Sequence, residues 1–195
     1  SDDACQLGFN IPGNAFLAST LRRLAPILDC DRRARAERLA AGIEEGIRCF
    51  GVIEDPEPHL AYEVDGMGGR LFMDDANLPS LLGLPYLGVL AVDDPVYLAT
   101  RRRVLSPENP CFVDGTWLRG VGSPHTPPGH VWPIAIAVAG LTASHEDEQL
   151  VCLRMLMNST GGTGWMHEGV DADDPSRFTR PWFSWANAMF CELAL

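Results

Sequence analysis

Apolar side chains recur every three or four positions over much of the chain, which is the spacing that lets a helix bury one face. The first such segment covers residues 14–28, with Asn14 as a candidate N-cap. A second segment follows Asp29 or Asp31, either of which could cap it, and ends at Gly51. The pattern therefore predicts a helical hairpin at the start of the chain.

Further helices are predicted along the rest of the sequence, and one pair of strands interrupts them. Apolar and polar residues alternate on both sides of a Gly-rich turn in residues 61–73, which indicates a short β-hairpin. Helical periodicity resumes at residues 78–91, 95–105, 131–143, 146–158 and 181–194. The predicted fold class is mainly α, with long loops rich in Asp, His, Trp and Gly, where functional side chains tend to lie.

Composition limits the classes of protein that fit this pattern. A chain of 195 residues with 46% hydrophobic residues is expected to form a single domain over residues 1–195. The formal net charge of −11, with Arg as the sole basic residue besides His, argues against a nucleic-acid partner. The longest apolar stretch, residues 131–143, contains a proline and is shorter than the roughly 20 residues that a membrane span needs. No membrane span is therefore expected.

Cysteine and histidine spacing gives no metal signature. The 6 Cys form no CxxC pair and the 5 His form no HxH or HExxH motif, so no metal or other cofactor is expected. Most of the cysteines lie among apolar neighbours and are predicted to be buried thiols, although their even number leaves disulfides possible. The chain opens with "SDDACQ", without Met or a secretory signal, and the sequence leaves the compartment open because a leader could have preceded it.

Three polar motifs carry candidate chemistry. In "RLFMDDANLPSLLG", Asp74, Asp75 and Asn77 stand at the entrance of the predicted helix 78–91. One of them could simply cap that helix. A cap needs only one such side chain, however, so the others could hydrogen-bond the vicinal hydroxyls of a sugar.

The second motif, "GVGSPHTPPGHVWP", combines Gly and Pro with His125, His130 and Trp132, which predicts an ordered, non-helical loop. The histidines could equally be ordinary surface residues, because exposed His is common.

The third motif, "GWMHEGVDADDPSRFTRPWFSWANAMF", places Glu168 after a segment too Gly-rich to be helical. A carboxylate on such a loop can face a cleft beside Trp165 and His167, although a merely solvated Glu is the plainer interpretation. The aromatic residues at 182, 183 and 185 fall on the start of the last predicted helix, where such a stripe is more often core than a platform for a ligand.

These motifs together resemble the carboxy-terminal half of glycoside hydrolase family 125, the exo-α-1,6-mannosidases. The resemblance rests on "SDDA", "YEVDGMGGRLFMDDANLPSLLGLPYLG", "GVGSPHT", "WP" and "GTGWMHEGVDADDPSRFTRPWFSWANAMF", and it runs from Ser1 to the last helix. It implies an α/α toroid, also called a six-hairpin barrel, that inverts anomeric configuration without a metal.

The resemblance also implies roles for particular residues. Glu168 matches the catalytic base, and the catalytic acid matches the opening Asp pair, with Asp2 favoured over Asp3. The remaining residues are implied to bind a mannose-containing oligosaccharide, in the positions Asp3, Asp74, Asp75, Asn77, His125, Trp132, His167, Arg180, Trp182 and Trp185. An inverting pair of carboxyl groups lies about 6.5 to 9.5 Å apart, which leaves room for a water molecule.

Three functions stay open at this point. The resemblance implies an amino-terminal half of the same toroid, absent from this sequence, that would cover apolar helix faces as a partner. With that half, the protein would remove terminal mannose from N-glycans or mannan-type oligosaccharides. Without it, the chain could be an inactive remnant that only binds glycan or a partner, and a related toroid glycosidase with another sugar specificity is the third alternative.

Overall fold

Helices account for most of the regular structure in residues 4–195, which are the residues that the computed structural model describes. The predicted class, mainly α, is thereby confirmed. The α-helices are α1 (Ile11–Leu24), α2 (Cys30–Phe50), α3 (Pro95–Val104), α4 (Pro133–Leu141), α5 (Glu146–Asn158) and α6 (Ser184–Ala194).

The strands are short, and every pair is antiparallel. They are β1 (Phe9–Asn10), β2 (Val52–Ile53), β3 (His59–Leu60), β4 (Glu63–Val64), β5 (Arg70–Leu71), β6 (Phe112–Asp114), β7 (Arg119–Val121), β8 (His130–Val131) and β9 (Val170–Asp171). A three-stranded sheet has the order β1-β4-β5, and the other strands form the pairs β2-β3, β6-β7 and β8-β9. The hairpin predicted within residues 61–73 is the β4-β5 pair.

The predicted helical hairpin is formed by α1 and α2, which pack against each other. The cap of α1 is Asn10 instead of Asn14, because the Asn10 side chain accepts a hydrogen bond from Gly13 N–H. Asn14 lies inside the helix and donates to the Asn10 carbonyl. Of the two candidate caps for α2, Asp29 takes the role and accepts from Arg32 N–H.

Helix α4 forms the centre of the core. It is apolar all round and buried from Pro133 to Gly140, as expected of a helix with neighbours on every side. Its neighbours are α5, α6 and β7. Within the part of the chain that the structure describes, no helix has both the length and the apolarity to cross a bilayer. Trp132 is the residue before α4, and α6 packs against α4, so this helix positions two of the motifs singled out in the sequence.

Residues 78–91 do not form the helix that their periodicity predicts. They form a series of turns in which Pro79 and Pro85 have no N–H to donate. The buried Asp74 carboxylate instead accepts hydrogen bonds from the amides of Leu81 and Leu82. Local hydrogen bonding to a side chain has here replaced the backbone ladder of a helix.

Two other predictions need correction. The helix predicted at 131–143 begins at Pro133 because Val131 is paired in β8, and the helix predicted at 181–194 begins at Ser184. The cysteines are mostly not buried. Only Cys152 is buried among them, whereas Cys5, Cys30, Cys49 and Cys191 are exposed. Two of these four belong to α2, which buries only a narrow face of small residues and one isoleucine.

Candidate active site

Glu168 lies where the Gly-rich loop after α5 joins an antiparallel turn. Its N–H donates to the Thr179 carbonyl at 3.2 Å, and the Thr179 N–H donates to the Gly169 carbonyl at 2.8 Å. Two residues further on, Val170 pairs with Val131 in the β8-β9 ladder. The backbone that carries Glu168 is therefore held from both sides.

The Glu168 side chain is shielded from solvent and paired with an arginine. The residue is 8% exposed, and its Oε1 accepts from Arg180 Nε at 2.9 Å. Arg180 has a φ of 47°, which is the left-handed region that non-glycine residues seldom occupy, and such strain is common at functional sites. Its guanidinium carbon lies 5.4 Å from the Phe183 ring centroid. The ion pair fixes the direction of the Glu168 carboxylate.

His167 is fully buried directly behind Glu168. Its ring stacks on Phe178 with centroids 3.6 Å apart, and Nε2 lies 3.0 Å from the Thr160 carbonyl oxygen. Nδ1 lies 3.3 Å from the carbonyl oxygen of Arg180. Both ring nitrogens have partners within the chain, because Nε2 also lies 3.3 Å from Thr163 Oγ1, and the predicted contact with a sugar hydroxyl stays a prediction. The imidazole braces the two segments that carry Glu168 and Arg180.

Trp132 is also enclosed, with 1% of its surface exposed. Its indole N–H donates to Thr126 Oγ1 at 3.1 Å, and its ring contacts His125 and Phe183 edge to face. A β-carbon added at Gly169 would lie 3.4 Å from the indole nitrogen, so Trp132 supports the residue after Glu168. Its predicted role as a wall of the sugar pocket stays a prediction, and within this chain its ring is covered on nearly all sides.

His125 lies on the surface of the loop that joins β7 and β8. Its Nδ1 is 3.0 Å from Ser123 Oγ, while its ring packs on Trp132. The loop is ordered and non-helical, as its Gly and Pro content predicts. His130, by contrast, is buried and 6% exposed, so the surface interpretation fails for it.

Three tryptophans of the motif that contains Glu168 have indole rings open to solvent. Trp182 is 57% exposed, Trp185 is 38% exposed and Trp165 is 54% exposed. The interpretation of the 182–185 stripe as core is thus wrong for its two tryptophans. Only Phe183 between them is partly buried, where it packs on Trp132. Flat, exposed indoles offer apolar surfaces on which the C–H face of a sugar ring can stack.

Asp74, Asp75 and Asn77 are all buried, and their surroundings differ. Asp74 is fully buried, and its two carboxylate oxygens accept from Leu81 N–H at 2.8 Å and Leu82 N–H at 2.9 Å. Asp74 does not cap a helix, because residues 78–91 form turns, and both of its oxygens already accept from backbone amides. Asp75 accepts from the backbone and side-chain amides of Asn77, so these two remain a separate polar pair.

The three sequence motifs meet through continuous contacts. The Ala76 N–H donates to the Gly122 carbonyl at 3.1 Å, which places the Asp75 segment beside the loop of His125. That loop contacts Trp132, and Trp132 in turn contacts Phe183 and Gly169. Motifs far apart in sequence are therefore neighbours on one side of α4.

Asp2 and Asp3 lie outside the described residues. The segment that follows them borders a cavity of about 360 Å³, which Ala4, Gln6 and Pro124 help to line. Buried Glu63 accepts from the amides of Gln6 and Leu7 at 2.8 and 2.9 Å. Glu63 could not be identified from the sequence, because there it is only one polar position in a strand of alternating polar and apolar residues.

Burial removes the Asp74 carboxyl from water and raises its pKa to about 8, although the hydrogen bonds from the Leu81 and Leu82 amides oppose that shift. The folded protein then retains a proton that the unfolded chain releases near pH 4, a value ordinary for Asp. The stability that this group contributes is present below about pH 4 and is lost as the pH rises toward 8.

We therefore expect the free energy of unfolding to fall between pH 5 and 8, with up to about 1.4 kcal/mol per pH unit due to Asp74. Asp74→Asn keeps the shape and removes the titration, so it should flatten this slope in chemical denaturation, while overall stability falls because its NH2 cannot accept from one of the two amides. Asp114→Asn, at an exposed position, serves as the control. Equal slopes in the Asp74 variant and the wild type would show that Asp74 is ionised in the folded protein.

A shielded carboxylate paired with an arginine, on a helical scaffold that also exposes indole rings, is the kind of site found in glycoside hydrolases. Among residues 4–195, no three His, Cys, Asp or Glu side chains converge as a set of metal ligands. The chain belongs to glycoside hydrolase family 125, because the family model "Metal-independent alpha-mannosidase (GH125)" matches residues 1–195.

Two relatives agree with this assignment. The Meiotically up-regulated gene 157 protein of Schizosaccharomyces pombe is 46% identical over 202 residues, which cover 100% of this chain and 40% of the relative. A solved structure from Streptococcus pneumoniae shares 45% identity with a TM-score of 0.96, covering 100% of this chain and 48% of that chain. It is described as a metal-independent alpha mannosidase in a non-productive substrate complex with α-1,6-mannobiose. The chain thus spans less than half the length of either relative.

Proposed function

We propose that this chain is the carboxy-terminal portion of an α/α toroid that acts as an inverting exo-α-1,6-mannosidase. The substrate would be a terminal mannose of an N-glycan or a mannan-type oligosaccharide. The observation that carries the proposal is the shielded Glu168 carboxylate, held by Arg180 at 2.9 Å, in a chain that the family model matches throughout. The α-1,6 linkage is favoured by the mannobiose bound to the pneumococcal relative.

In this mechanism the two carboxyl groups have different tasks. Glu168 would act as the base that removes a proton from the attacking water, and Asp2 would protonate the departing glycosidic oxygen, with Asp3 as the alternative acid. Arg180 occupies one oxygen of Glu168, which directs the other toward the water. Attack on the face opposite the leaving group yields the inverted, β-configured mannose.

The sugar would be bound by the buried polar pair Asp75 and Asn77 and by side chains elsewhere in the site. Asp75 and Asn77 provide a carboxylate and an amide for hydroxyl groups, with Asp3 and His125 as further candidates. Trp182 and Trp185 provide exposed rings for stacking. Asp74, Trp132 and His167 are proposed to hold these groups in place.

The stereochemistry of the product tests this proposal. We expect a protein that unites this chain with the remainder of its toroid to release β-mannose first from α-1,6-mannobiose, as followed by NMR. α-Mannose as the first product would contradict the inverting mechanism. Turnover of a glucose disaccharide in place of mannobiose would instead identify a toroid glycosidase with another specificity.

A second function is favoured by the surface of the chain. Large apolar side chains are exposed on it, among them Ile27 at 79% and Met157 at 60%. Such side chains are consistent with a surface that another portion of a toroid covers. By itself the chain would then bind glycan or that portion of the toroid without turnover. If the chain alone gave no product but became active when the missing portion was added, this second function would be supported.

A further inference from the structure

Asn187, on the first turns of α6, hydrogen-bonds two segments of the candidate active site at once. Its Oδ1 accepts from the Met166 N–H at 3.2 Å, and its Nδ2 donates to the Met166 carbonyl at 3.2 Å. The same Nδ2 donates to the Phe183 carbonyl at 2.8 Å. One side-chain amide therefore pairs with both polar groups of Met166 and with the residue that precedes α6.

The two segments joined by Asn187 carry Glu168 and Arg180, the two residues of the ion pair. Met166 lies two residues before Glu168, and Phe183 lies three residues after Arg180, whose guanidinium it contacts through its ring. The Phe183 N–H also donates to the Met166 carbonyl at 3.1 Å, so that carbonyl is shared. A shift of either segment would change the Glu168–Arg180 ion pair.

We propose that Asn187 is a positioning residue for the base of the hydrolysis reaction, a role that rests on the function proposed above. It acts through the Met166 peptide, which sets where the Glu168 carboxylate stands relative to the attacking water. Sequence reasoning missed it because a single Asn on an amphipathic helix has no pattern of its own. Its role follows only from the structure, which places the Met166 carbonyl and amide beside the Asn187 side chain.

The chemistry requires an amide at this position. Asn supplies one acceptor and two donors, and the three bonds use the acceptor once and the donor group twice. Aspartate has the same shape but no donor, so it would set a charge against the Met166 and Phe183 carbonyls. Asn187→Asp thus tests the hydrogen bonds without leaving a cavity.

The experiment compares Asn187→Asp and Asn187→Ala in the active protein with Asn14→Asp and Asn14→Ala. Asn14 is a matched control because it is also a half-buried helical Asn that donates to the carbonyl four residues earlier, at 2.7 Å, but it lies on α1 and its partner is Asn10 instead of Met166. We expect the Asn187 variants to lower kcat by about 10- to 100-fold with KM changed less than about threefold, since a small displacement of a catalytic group has effects of this size. The Asn14 variants should lower the melting temperature by a similar amount but leave kcat near the wild-type value.

Hydrogen exchange in peptides covering residues 164–170 provides a readout that does not depend on turnover. Exchange there should be faster in Asn187→Asp than in Asn14→Asp. Equal kcat values for the Asn187 and Asn14 variants at matched stability would overturn the inference, as would a loss confined to KM. If Glu168→Gln were also fully active, the proposed function itself would fail. Failure of the Asn187 inference is thereby distinguished from failure of the proposed function.

Discussion

Replacing Glu168 by Gln is expected to lower kcat on α-1,6-mannobiose by about four orders of magnitude or more, the loss seen when an essential catalytic group is removed. Gln keeps the size of the side chain and can still accept a hydrogen bond from Arg180 Nε through its amide oxygen. What it lacks is the capacity to take a proton from water at the sugar C1. The measurement is single-turnover and steady-state hydrolysis by the purified variant.

A suitable control is Glu45→Gln, which alters another Glu paired with Arg, on the exposed surface of α2. That variant should keep the wild-type kcat, because exposed ion pairs contribute little and this one is outside the site. Folding of the Glu168 variant can be verified by its melting temperature. A rate within tenfold of wild type in a folded Glu168→Gln protein would place the base elsewhere.

The second large effect is expected at the opening Asp pair. Asp2→Asn should lower the rate on α-1,6-mannobiose by about 10²- to 10⁴-fold, the usual contribution of a general acid. A substrate with a leaving group that departs without protonation, such as a dinitrophenyl mannoside, should lose much less. The ratio of the two losses is the measurement, since a general defect in binding or folding would affect both substrates alike.

Asp3→Asn is the matched comparison, because the two residues are adjacent and have the same chemistry. We expect Asp3→Asn to raise KM more than it lowers kcat, as befits a group that binds the sugar. If the dependence on leaving group appeared in Asp3→Asn and not in Asp2→Asn, the two roles would be exchanged. If it appeared in neither, the acid would lie outside this pair.

Most helices could be predicted from periodicity because they bury one face, with α4, which is buried all round, as the exception. α5 lies at the predicted residues 146–158, and α3 differs from its prediction by one residue at its end. Residues 78–91 are a further exception, because their periodicity predicts a helix that does not form. Their apolar spacing suits a helix, but two prolines and a distant carboxylate determine where the amide hydrogens of Leu81 and Leu82 point. Periodicity carries no information about such a partner.

The candidate site was partly predictable for a similar reason. Residue types and order made Glu168 a candidate because it follows a Gly-rich segment, whereas Arg180 and a binding role for the tryptophans followed only from the family resemblance. The sequence could not separate groups that face the cleft from groups behind it. His167 and Trp182 look alike as candidates, yet the first is fully buried and the second is 57% exposed.

By itself, the sequence determined the helical class and the helical hairpin at its start. These follow from local spacing and side-chain chemistry, which need no knowledge of distant neighbours. Only the tertiary structure decided that Asp74, Trp132 and His167 are enclosed, that Arg180 holds Glu168, and that Asn187 pairs with Met166. Burial and long-range hydrogen bonds depend on which segments pack around α4, and that packing is set by the whole chain and not by local sequence.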